Sequence, residues 1–67
     1  MDPNMTLMLD ELRSVPVKEL RAMLQENVRE HEALRASGSA PGDEDFDQNT
    51  MFYVVLTAAL KQRIIHA

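Results

Sequence analysis

The run Met51-Phe52-Tyr53-Val54-Val55-Leu56-Thr57-Ala58-Ala59-Leu60 limits what this chain can fold into more than any other feature. Nine of its ten residues are apolar, and it carries two of the three aromatic residues in the chain. As a helix the run is hydrophobic on nearly every side, and such helices are buried all round. A chain of 67 residues has little material with which to cover one helix completely, because at this size a single core is marginal. Small folds are otherwise stapled by disulfides, a metal or oligomerisation. There is no cysteine, and the two histidines are His31 and His66, which removes disulfides and thiolate sites and disfavours a His-rich metal centre. Self-association is the staple that remains.

Phe52 to Leu56 also has strand propensity, but no second strand is available to pair with it, and a lone strand leaves its backbone hydrogen bonds unmade. The continuation Ala58-Ala59-Leu60-Lys61-Gln62-Arg63 is helical in character. The spacing therefore predicts a helix over 50–66. Asp47, Asn49 or Thr50 is expected to cap it, and Lys61, Arg63 and His66 sit toward its negative end. The run is about half the ~20 residues a membrane span needs, and cations follow it directly. With no basic, apolar leader at the start, the chain is expected to be soluble and cytoplasmic.

Upstream, Met5, Met8, Leu9 and Leu12 fall at i, i+3, i+4 and i+7 and predict a short helix over 5–13, behind a loose leader of residues 1–4. Val15-Pro16 breaks it, since proline disfavours helix at the preceding residue and suits the first turn of a new one. The second helix is predicted over 16–36, capped by Ser14 or Val15, with Val17, Leu20, Leu24, Val28, His31 and Leu34 as its apolar stripe. Residues 37–48 hold both glycines, a proline and four acids and read as a flexible acidic connector. Phe46, its one large apolar residue, is expected to tuck back onto the helix ends.

The segment Leu9-x-x-Leu12-Arg13-Ser14-Val15-Pro16-Val17-Lys18-Glu19-Leu20-Arg21-x-x-Leu24 resembles the first half of the SAP module, a small DNA-binding helix–extended–helix motif. The resemblance spans about a quarter of the chain. That family continues with a glycine turn bearing lysines and a second helix of Glu-Leu-Ile-x-Arg-Leu type. Here the helix runs on through Val28-Arg29-Glu30-His31-Glu32 instead, so the segment is read as a capped amphipathic helix.

The net charge of −4 argues against a nucleic-acid binder, whose affinity comes mainly from cations meeting phosphates. A regulator using Lys18, Arg21, Arg29 and Arg35 is the alternative reading. His31 lies on an apolar stripe with no serine or cysteine placed for it to activate, so it reads as structural. The acids Asp43, Glu44, Asp45 and Asp47 lack the glycine and terminal glutamate of an EF-hand loop. Neither a catalytic set, a metal site nor a cofactor is expected.

The expected architecture is all-α: a short N-terminal helix and a two-helix antiparallel hairpin, dimerising into a four-helix-bundle-like core. Phe52, Tyr53, Val55, Leu56, Ala59, Leu60 and Ile64 are the expected dimer interface. Met5, Met8, Leu9 and Leu12, as an adaptable methionine-rich face, and the acids Asp43, Glu44 and Asp45 are the candidates for contact with a further protein. The expected function is a non-catalytic protein–protein interaction module: an adaptor, chaperone-like factor or inhibitor of a larger protein.

Overall fold

The computed structural model describes residues 3–65 and, among them, shows three α-helices and no strand. These are α1 (Pro3–Leu12), α2 (Val17–Ala36) and α3 (Glu44–Ile65). Among the described residues no helix is long and apolar enough to cross a membrane. His66 and the first two residues of the expected leader lie outside the described residues.

Each boundary has a local cause. Helix α1 starts at Pro3, inside the expected leader, because a proline at the first helical position loses no hydrogen bond and has its φ already set. Pro16 occupies the N-cap of α2 itself, with extended ψ of 147° and no side-chain cap. Its carbonyl accepts from Leu20 N–H at 3.0 Å, so neither Ser14 nor Val15 serves as the cap. At the other end, Gly38 N–H donates to the Arg35 carbonyl and Ser39 N–H to the Leu34 carbonyl. That pair of bonds requires a left-handed residue, and Gly38 supplies it with φ of +92°.

The expected connector is shorter than its composition implies. Helix α3 begins at Glu44, six residues before the expected start, and residues 44–48 are its first turns. Glu44, Asp45 and Asp47 suit the positive end of a helix. Asp43 caps it: its carbonyl accepts from Asp47 N–H, and its Oδ2 accepts from Ala40 N–H at 3.0 Å. Asp47 Oδ1 in turn accepts from Gly42 N–H at 3.2 Å. Residues 37–43 are thus a hydrogen-bonded turn in place of the flexible segment the glycines and acids suggested.

Helices α2 and α3 form the antiparallel hairpin, and α3 contacts both α2 and α1. Met8 lies near Asn49 and Phe52, whereas the end of α1 meets Arg63, so α1 runs alongside α3 in the same direction. Leu12, Leu20, Val55, Leu56, Ala59 and Leu60 form the buried core, with Leu20, Val55 and Leu56 fully inaccessible. Met5, Met8, Leu9, Val17, Met23, Leu24 and Phe52 pack around it.

Arg63 ties the two chain ends together. Its guanidinium donates to the carbonyls of Leu12 and Arg13, which close α1. A cation there satisfies orphan acceptors and meets the negative end of a helix. A two- to three-turn helix such as α1 is not stable alone, and this bond joins the Leu12 contact in docking it.

Truncating Leu20 to alanine should lower the free energy of unfolding by about 2–5 kcal/mol, the range for a fully buried leucine. Leu7, on the solvent side of α1 and 61% exposed, should change it by less than about 0.5 kcal/mol when truncated. Urea titrations of the two variants check the contrast, and equal losses would contradict this core.

Candidate functional site

The side of α3 that faces neither α1 nor α2 keeps apolar side chains exposed. Val54 and Tyr53 are 45% and 46% exposed, and Ile64 67%. Thr57 and Ala58 lie half-buried between them. Val54, Thr57, Ala58, Leu60, Lys61 and Ile64 line a shallow concavity along this face. The threonines here do not make it polar. Thr50 Oγ1 donates to the Phe46 carbonyl at 3.1 Å, and Thr57 Oγ1 lies 2.9 Å from the carbonyls of both Tyr53 and Val54. Hydroxyls bonded back to their own helix leave the methyl groups as what the face offers.

The expected dimer residues separate into two groups. Val55, Leu56, Ala59 and Leu60 are buried inside the single chain, with Phe52 half-buried against them. One chain therefore covers more of α3 than its length suggested, because α1 and α2 flank it from two sides. Tyr53 and Ile64 remain on the surface. Val54 belongs with them, and Val28 of α2, placed on the buried stripe by spacing, is 41% exposed.

The other expected contact residues lie elsewhere. Leu12 is in the core, and Met5, Met8 and Leu9 pack against it half-buried, so the apolar stripe of α1 is spent on α3. Asp43 is the cap of α3, and Glu44 and Asp45 lie exposed in its first turn. Lys18, Arg21, Arg29 and Arg35 are all exposed on α2. They do not form an uninterrupted cationic strip: Arg29 pairs with Glu26 at 3.3 Å, and Glu19, Glu30 and Glu32 lie among them. His31 is half-buried, with its ring 5.1 Å from that of Phe46 and tilted by 50°. Among the described residues no three His, Cys, Asp or Glu side chains are grouped as metal donors.

The feature that spacing arguments missed is a polar pair inside the hairpin. Asn27 Nδ2 donates to the Asn49 carbonyl at 3.2 Å, and Asn49 Nδ2 donates to the Asn27 carbonyl at 3.1 Å. Both residues are buried. Asn27 Oδ1 is buried too, and meets no donor among the described residues. The pair separates two grooves of about 350 Å³. One is lined by Val28, His31, Thr50 and Tyr53, and the other reaches Met8 and Leu34. The available signal was seven-residue spacing, Leu20–Asn27–Leu34 on α2 and Asn49–Leu56–Arg63 on α3, which places each asparagine in line with a buried leucine.

Neither family models, curated proteins nor solved structures match this chain.

The two asparagines should respond unequally to truncation. Asn49→Ala removes a buried bond and should cost about 1–2 kcal/mol. Asn27→Ala should cost less, because it also removes the stranded Oδ1 acceptor. Urea midpoints with unchanged slopes check this order, and a larger loss at Asn27 would contradict it.

Proposed function

We propose that this protein is a non-catalytic protein–protein interaction module that works as a homodimer. The observation that carries the reading is the apolar face of α3, Val54 with Tyr53 and Ile64, left open after α1 and α2 have covered the rest of the helix. Apolar surface held together in this way marks an interaction site. A second copy is favoured as a partner because the chain is small, has no cysteine, and gains most from burying large side chains worth ~1.5–3 kcal/mol each. Its use to a cell is then as an adaptor, chaperone-like factor or inhibitor, with the groove beside Val28, His31 and Tyr53 as a surface for a further protein.

Leu56→Asp is not a clean test of this reading, since Leu56 is in the core of the single chain and the variant should simply unfold. Val54→Asp is the informative substitution. The native chain should melt at a midpoint that rises with protein concentration, as linkage to association requires. Val54→Asp should keep the native helical circular dichroism and melt at a midpoint independent of concentration. A native midpoint that does not move with concentration would contradict the homodimer.

A further inference from the structure

The open face of α3 carries opposite charges at equal steps on either side of Val54. Three, four and seven residues before Val54 stand Met51, Thr50 and Asp47; at the same steps after it stand Thr57, Ala58 and Lys61. Steps of three, four and seven keep residues on one face of a helix. Leu56, Ala59 and Phe52, which meet the rest of the chain, fall on the opposite side. Asp47, Thr50 and Lys61 are exposed, and Met51, Thr57 and Ala58 half-buried.

We propose that this face packs against the same face of a second copy, α3 against α3 in antiparallel, with the two-fold axis at Val54. The inference rests on the homodimer reading above and places Val54 at the centre of its surface, with Tyr53 and Ile64 along one edge. About such an axis each residue before Val54 meets the residue equally far after it on the other copy. Asp47 then meets Lys61 of the second copy, and the same pair forms again at the other end. Thr50 meets Ala58, Met51 meets Thr57, and Val54 meets itself.

The charges select the direction. In a parallel pair Asp47 would face Asp47 and Lys61 would face Lys61, which repel. The antiparallel pair also sets the positive end of each α3 beside the negative end of its copy. Asp47 Oδ1 accepts from Gly42 N–H, and Oδ2 is the oxygen that meets Lys61 of the second copy. Neither ion pair formed among the described residues involves Lys61. Small side chains at Thr50, Thr57 and Ala58, with both threonine hydroxyls already bonded inward, let two such helices approach closely. A foreign helix could fill the same groove only by supplying both a cation for Asp47 and an anion for Lys61, seven residues to either side of Val54, which a second copy already carries.

The absence of native cysteine makes cross-linking decisive. Helices packed 8–10 Å apart bring a residue on the axis within disulfide range of its copy. Val54→Cys should therefore oxidise to a disulfide-linked dimer. Lys61→Cys alone should not, because its copy lies about 21 Å away along the axis, at 1.5 Å per residue. Mixed with Asp47→Cys, it should yield the linked heterodimer.

A charge swap gives a second readout. Asp47→Lys and Lys61→Asp should each weaken the dimer roughly tenfold, and the combined variant should recover most of that loss. A purely local role for Asp47 at the start of α3 would not be rescued by Lys61→Asp. Self-linking of Lys61→Cys as fast as Val54→Cys would mean a parallel pair and overturn the seam. A dimer seen in concentration-dependent melting, with Val54→Cys inert, would overturn the seam and leave the homodimer. A monomer in every assay would overturn both.

Discussion

Leu20 of α2 against Val55 and Leu56 of α3 is the contact on which everything else in this chain depends. All three side chains are fully inaccessible, and burying each contributes ~1.5–3 kcal/mol. Together they approach the whole net stability of an ordinary domain. Once α2 holds that side of α3, a second side is free for α1, which brings Leu12 into the same core. Arg63, close to the end of α3, then closes the carbonyl end of α1. The first helix in the chain is thus completed by the last turns of the third.

Within that hairpin the Asn27–Asn49 pair adds specificity more than strength. Two side-chain amides each reach the opposite backbone, and a shift of α2 along α3 by one turn would leave both buried without partners. Unmatched buried amides are costly, so the alternative registers of two apolar stripes are disfavoured. The stranded Asn27 Oδ1 offsets part of the gain. Buried asparagines in paired helices act in this way elsewhere, fixing register at a cost in stability.

The helices were legible in the sequence because apolar spacing and proline placement both act locally. Their ends were less so. Glycine and acid content made residues 37–48 look unstructured, yet acids also suit a helix start, and Asp43 with Gly38 builds a short turn from the same residues. Hydrophobicity alone overestimated what one chain must leave exposed. With α2 expected on one side of α3 and α1 on part of another, the grooves of that helix looked too many for one copy to cover, whereas Val55, Leu56, Ala59 and Leu60 are all buried within the single chain. Asn27 was passed over because a polar residue in a stripe counts as a gap in a hydrophobic pattern, and Asn49 was read as a cap because α3 was expected to start after it, whereas α3 starts at Glu44. Val54, in the middle of the most apolar run, was passed over for the opposite reason: nothing in that run distinguishes the outward residues from the inward ones until the neighbouring helices are in place.

What remains outside the core is a narrow apolar strip with a cation at one end and an anion at the other, on a chain too small to bury it. In the proposed dimer that strip is covered by a second copy. Small-angle X-ray scattering of the native chain measures this most directly, since forward scattering gives the mass and the low-angle slope the size. At high micromolar concentration the protein should show twice the 7.6 kDa chain mass and a radius of gyration clearly above the 12.6 Å of the single chain. A mass of one chain, with a radius close to that of the single chain across the concentration range, would contradict the dimer.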